Sequence, residues 1–232
     1  MTSIAIMQPT YLPWLGYFSL IDAVDIFVLL DTVQFDRRSW QQRNRLKGPC
    51  ASFWITIPVK KASLEDSGLS AIEIVDGGSF AVKHARSIEL NYSRAQFYDG
   101  WFESQILSLP KNYLTGYTVP LIKNIAAKLG VKTPIHLASD IQAMGDKEEL
   151  LRNICVKLEC DNYIAVPGAK AYMLESRVFS DADISVSYFE FQHPTYLQCH
   201  GDFISHMSIL DAVYNCGWER TAQLMKRGVL NP

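Results

Sequence analysis

Between Val33 and Pro49 the chain reads VQFDRRSWQQRNRLKGP, with Arg37, Arg38, Arg43, Arg45 and Lys47 opposed only by Asp36. Arginine forks onto carboxylate or phosphate in a way lysine does not. The gaps hold Gln34, Gln41, Gln42 and Asn44, with Trp40 in the middle. That mixture suits phosphate, sugar hydroxyls and a stacked ring. A solvated surface face accounts for such a run equally well on the sequence alone. The anion-binding reading puts Arg43, Asn44 and Arg45 in a cleft and leaves Arg37 and Arg38 at its rim or on the surface.

A second group lies near the C-terminus, where YFEFQHPTYLQCHGDFISHMSILD brings His193, His200 and His206 among Tyr188, Gln192, Tyr196, Gln198 and Asp202. Histidine is the side chain best placed to move protons near neutral pH. His193 is the first choice for a general base or acid, because it precedes Pro194 in a loop where Gln192, Tyr196 and Gln198 can fix a polar substrate. His200 is the reserve, and Gln198 and His200 are expected substrate contacts. Asp31, ending the apolar run DIFVLLD, would orient a substrate amine or hydroxyl. The competing reading makes His193 a structural residue bonded to backbone, the commoner fate of a loop histidine. Cys199 and His200 are not a simple nucleophile–base pair, since neighbours in a strand point to opposite faces.

Two further stretches bear on phosphate chemistry. In PGAK, Gly168 and Ala169 would let backbone N–H groups approach a phosphate, Lys170 would add charge, and Tyr172 would extend the contact. A plain tight turn competes with this, and the GxxxxGK[ST] pattern is absent. In PTYLPWLGYF, the HxGH signature of nucleotidyl transfer would fall on Trp14, Leu15, Gly16 and Tyr17. Both histidines are missing, so adenylyl transfer is disfavoured.

The elements that must position these groups follow from apolar patterning. SIAIMQP, DIFVLLD, ASFWITIPV, LSAIEIVD, NYIAV and ISVSYFEF read as strands, DIFVLLD apolar throughout as for a strand covered on both faces. GYFSLIDAV reads as a short helix, and residues 79–130 as a helical middle segment. DKEELLRNICVKLE is a strong helix with Asp146 as its cap and Glu149 at the capping-box position. YMLESRVF is a further helix. Two strand–loop–helix–strand units imply one α/β domain over residues 1–232, with a mainly parallel, Rossmann-like sheet. Ligands in such sheets gather at the carboxyl ends of strands. The clusters beginning at Gln8, Asp31 and Gly168 all fall there, so Met7, Asp31 and Val166 are predicted to open onto one cleft.

A chain of 232 residues with net charge −2 lacks the bulk positive charge of a general nucleic-acid binder. No apolar run reaches the ~20 residues of a membrane helix and no signal peptide is evident, so a cytoplasmic location is expected. The five cysteines show no CxxC spacing. They read as reduced thiols, with no metal and no cofactor expected.

The stretches IAIMQPTYLPWLGYF, FVLLDTVQFDRRSWQQRNRLKGP, WITIPVK, KHARSIELNY, YIAVPGAKAYM, YFEFQHPTYLQCHGDF and MSILDAVYNCG together resemble the WbqC-like family of bacterial surface-polysaccharide gene clusters, almost end to end. The resemblance implies a place in O-antigen (lipopolysaccharide) synthesis. It further implies an acyl or aminoacyl transferase, glycyl transfer included, acting on an amino sugar or nucleotide sugar. The small-molecule partners would be the activated amino sugar and the acyl donor. It also implies a catalytic candidate at position 7, Met7 here and His in other members. Two alternatives stand beside this: another nucleotide-dependent sugar-modifying enzyme, and a non-catalytic protein that binds the activated sugar or a partner enzyme.

Overall fold

The computed structural model describes residues 1–60, 68–166, 168 and 177–231. Strands β1 (Ser3–Met7) and β2 (Ile26–Leu29) enclose helix α1 (Leu15–Asp22); β3 (Arg43–Lys47) and β4 (Ser52–Thr56) follow. Helices α2 (Ser79–Tyr92), α3 (Trp101–Ser108) and α4 (Leu114–Lys128) form the expected helical segment. Then come β5 (Ile135–Leu137), α5 (Ala138–Ile141), α6 (Lys147–Lys157), β6 (Asn162–Ala165) and β7 (Ser185–Phe191). Helices α7 (Ile209–Cys216) and α8 (Trp218–Met225) and strand β8 (Gly228–Asn231) complete the order.

Six strands form one sheet in the order β5-β2-β1-β6-β7-β8. All its pairings are parallel except β7 with β8. The α/β class and the mainly parallel sheet are therefore as predicted. Strand periodicity divides the core in two. Ile4, Ile6, Val28 and Leu30 face a cluster with Ile154 and Cys155 of α6. Ala5, Phe27 and Leu29 face the larger cluster built with Phe18, Ile88, Ile122 and Val213. Burial on both faces is why these strands are apolar at every position after Ser3.

Two predicted sheet strands are something else. ASFWITIPV contributes β4, which pairs only with β3, antiparallel, in a separate two-stranded hairpin. LSAIEIVD forms a 3-10 turn over Leu69–Ala71 and isolated bridges, Val59 with Ile74 and Glu73 with Tyr113. Its Ile72 and Ile74 are buried, so the apolar alternation reports burial without a ladder. Asp146 does begin α6, but its side chain makes no capping hydrogen bond. Most of the predicted helix YMLESRVF lies outside the described residues.

From β1 the chain moves to β2 and β5 on one side, then returns to β6 and β7 on the other. The gap between the carboxyl ends of β1 and β6 is thus the topological switch point, where such sheets take ligands.

Candidate functional site

Met7 and Val166, which end β1 and follow β6, line a cavity of about 240 Å³ at the switch point. Trp14, Tyr17, Phe189 and Phe191 complete its apolar wall. Met7, Trp14 and Tyr17 also line a neighbouring cavity of about 300 Å³ that extends to Trp40, Asn44 and His206. Trp14 divides the two. Its ring crosses the first turn of α1, where a Cβ on Gly16 would stand 2.2 Å from the indole. Glycine at 16 is what gives the indole this position.

The outer wall is the β3–β4 hairpin, stitched to the loop after β1. Asn44, only 2% exposed, donates from Nδ2 to the carbonyls of Tyr11 (3.0 Å) and Leu12 (2.6 Å) and accepts the N–H of Arg45 at 2.7 Å. Leu12 has φ of 45°, so the amide holds a backbone that a leucine disfavours. Main-chain bonds join the rest: Tyr11 N–H to Trp40 O (3.0 Å), Ser208 N–H to Arg45 O (3.1 Å) and Ile209 N–H to Pro13 O (2.8 Å). Three segments distant in sequence are locked around one opening.

Trp40, Asn44 and His206 line the second cavity, and Arg43 and Arg45 stand beside it against the two indoles of the hairpin. Arg43 and Arg45 share the face of β3 opposite to Asn44, and Asn44 lines the cavity while its amide braces the hairpin against the loop after β1. The Arg43 guanidinium lies 4.1 Å from the ring centre of Trp54, and that of Arg45 lies 5.9 Å from both Trp40 and Trp54. The Nε of each arginine is buried without a hydrogen-bond partner. Arg37 and Arg38 are exposed, as predicted for rim residues. Lys47 is buried, with Nζ donating to Gln198 Oε1 (3.0 Å) and to the carbonyls of Gly201 (3.2 Å) and Asp202.

The histidines separate into different roles. His193 Nδ1 donates to Pro194 O at 2.9 Å, and its Nε2 accepts the backbone N–H of His206 at 3.2 Å. Both ring nitrogens are engaged by main chain, and the ring stacks on Trp14 at 5.9 Å. Burial pushes its pKa below the usual histidine value, partly offset by the bond to Pro194 O. The His206 ring lies 4.7 Å from Trp14 and lines the cavity. Its Nδ1 meets Ser205 Oγ at 2.9 Å, and its Nε2 has no hydrogen-bond partner among the described residues. Burial, then the nearby Arg45 cation, lower its pKa. His206 is thus the imidazole open to a substrate. The sequence gives it no Pro or Gly neighbour to single it out.

Asp31, Gln198 and His200 among the other predicted site residues are bonded within the protein. The Asp31 carboxylate is buried and accepts Ser139 N–H (3.0 Å) and Ser139 Oγ–H (2.7 Å). β2 is separated from β7 by β1 and β6, so Asp31 and His193 end strands roughly 14 Å apart at ~4.8 Å per strand. Gln198 spends its amide on Asp211 Oδ2 (2.6 Å), Ile204 O (3.0 Å), Ile204 N–H (2.8 Å) and Lys47. Asp211 also accepts the hydroxyls of Tyr92 (3.0 Å) and Tyr196 (2.8 Å), and burial raises its pKa. His200 donates Nε2–H to Asn91 O at 2.7 Å and lines a different cavity with Arg86 and Arg94. Gln8, at the carboxyl end of β1, is exposed and accepts Gln41 Nε2–H at 2.7 Å. Gly168 is exposed, while Lys170 and Tyr172 lie outside the described residues. The sequence marks Trp54 only as a strand residue. The clue to its partner was Gly48-Pro49 between two alternating runs.

Among the described residues no group of three or more His, Cys, Asp or Glu could hold a metal ion. No helix among them is long and apolar enough to cross a membrane.

The chain is similar to uncharacterized protein Rv1507c of Mycobacterium tuberculosis, 33% identical over 223 residues, covering 94% of this chain and 96% of that protein. No solved structure matches it. The model of the WbqC-like protein family matches residues 8–223, a span that holds the β1–α1 loop, the Arg–Trp hairpin and the histidine segment. The chain belongs to the WbqC-like protein family.

Proposed function

We propose that the chain is a transferase of surface-polysaccharide biosynthesis that joins an acyl or aminoacyl group to the amine of an amino sugar or nucleotide sugar. One juxtaposition carries the reading. An apolar cavity at the switch point adjoins one lined by His206, whose Nε2 has no hydrogen-bond partner among the described residues. Beside Trp40 of that second cavity stand the guanidiniums of Arg45 and Arg43, neither with a hydrogen-bond or ion-pair partner among the described residues. The arginines hold an anionic part of a substrate, and the apolar cavity excludes water from the reacting carbonyl. The amine nitrogen attacks the carbonyl carbon of an activated ester or thioester, forming the C–N bond. His206 Nε2 takes the proton the amine loses and returns it to the leaving oxygen or sulfur as the old bond breaks. Its lowered pKa keeps the imidazole neutral, the form this step requires.

His193 and Asp31 enter this scheme as positioning residues, since each has its polar atoms committed to the protein. The same commitment supports a second reading, a non-catalytic protein that binds an activated sugar.

The experiment pairs amino sugars and nucleotide amino sugars with acyl thioesters and aminoacyl donors and detects product by mass. Product that disappears in a folded His206→Gln variant, with ligand binding retained, supports the transferase. Near-normal turnover in that variant removes the mechanism. Bound ligand with no product from any pairing favours the binding protein.

A further inference from the structure

Trp40 and Trp54 stand 46% and 43% exposed on the hairpin, their ring centres 5.1 Å apart at 47°. Single exposed apolar side chains are ordinary, but two adjoining indoles beside a cavity mark a contact surface. Arg43 and Arg45 sit on the same strand face, about 6.6 Å apart along β3 at ~3.3 Å per residue. Both guanidiniums converge on Trp54, and neither has an ion-pair or hydrogen-bond partner among the described residues. Like charges on one face repel, and a face shaped only by solvation would not bury the Nε of both. An anion between them relieves the repulsion and satisfies the forks.

A single carboxylate fills one fork. Two forks at this spacing fit two adjacent phosphoryl groups. Trp40 offers a ring for stacking, and its side chain also lines the cavity that holds His206. The patch is short and the chain is acidic overall, so a small nucleotide fits where a nucleic-acid strand would find no continuing track.

We propose that the β3–β4 hairpin binds the nucleoside diphosphate of a nucleotide-linked sugar, with Arg43 and Arg45 on the diphosphate and the base stacked on Trp40. The sugar then points past His206 toward Met7. That direction rests on the transferase reading above, whereas the diphosphate contact stands on the hairpin itself.

The test is calorimetric titration with nucleoside diphosphates of different bases, the matching monophosphates, free nucleosides and inorganic pyrophosphate. A nucleoside diphosphate is expected to bind at least tenfold more tightly than its monophosphate. Arg43→Lys and Arg45→Lys, which keep the charge and lose the fork, should each weaken it roughly tenfold, the scale of one charge-assisted hydrogen bond. Trp40→Leu should weaken the nucleoside diphosphate and leave pyrophosphate unchanged. Absence of binding by every diphosphate overturns the proposal, as do equal affinities for mono- and diphosphate or unchanged binding in both lysine variants. Diphosphate binding without product in the transfer assay would sink the transferase and leave the hairpin site standing. Product formed with an unaltered KM in both lysine variants would do the reverse.

Discussion

His193 accepts the backbone N–H of His206 at 3.2 Å, so one histidine fixes the position of the other. His206 has φ of 59°, a left-handed conformation uncommon for a residue with a side chain. The ring of His193, clamped through Nδ1 to Pro194 O, holds the strained backbone that presents the His206 imidazole to the cavity.

His193→Ala is therefore expected to destabilise the fold by about 0.5–1.5 kcal/mol, the net worth of a hydrogen bond whose exposed N–H can turn to water. It should also lower kcat more than it raises KM. His193→Gln, whose carbonyl oxygen can accept the same N–H, should recover part of both losses. Thermal unfolding and steady-state kinetics on the two variants check this. A stable His193→Ala protein that has lost all turnover would instead make His193 itself the proton carrier.

The acid limb of the pH–rate profile should report His206. Burial and then Arg45 lower its pKa from 6.5, so activity that needs neutral imidazole rises with pH through a midpoint below 6.5. Removing the cation in Arg45→Gln favours the protonated form, and the midpoint should move upward. The comparison is made on kcat, at saturating substrate, because the same substitution weakens binding. An unmoved midpoint would assign the limb to another group.

Gly16→Ala separates site geometry from stability. Alanine gains helix propensity over glycine by about 1 kcal/mol, yet its Cβ would stand 2.2 Å from the Trp14 ring. The indole must shift from its place between His193, His206 and Phe191. The expected outcome is a small change in melting temperature and a large drop in ligand affinity. Unchanged affinity would show that the placement of Trp14 does not shape the site.

Acid stability should follow His84. It is buried, accepts the Tyr11 hydroxyl through Nδ1 at 3.0 Å, and burial lowers its pKa from 6.5 to about 4. The unfolded chain thus takes up this proton first as pH falls. Stability should be level above about pH 6.5 and decline toward pH 4, by on the order of 3 kcal/mol at most. His84→Gln should flatten that part of the curve in urea titrations at a series of pH values. An equally steep decline in the variant would place the acid sensitivity elsewhere.

Patterning alone determined the sheet strands β1, β2, β6 and β7, the helical run from Ser79, and the strand ends where a ligand site belongs. Those features are local: apolar runs and helical spacing follow from which faces are buried, and the switch-point rule follows from the parallel connection. The tertiary structure decided which side chains share the opening. Asn44 sits between Arg43 and Arg45 in sequence but points to the other side of β3, because β3 pairs with β4 and side chains alternate across a strand. The sequence favours His193 over His206, yet hydrogen bonds to Pro194 O and His206 N–H commit His193, while the Nε2 of His206 has no hydrogen-bond partner among the described residues. Gln198 reads as a substrate contact until Lys47, 151 residues away, is found on its carbonyl oxygen. Composition and spacing record which donors and acceptors exist. Which of them remain unpaired is settled only when distant segments meet, because each buried polar group takes the partner that the fold brings within reach.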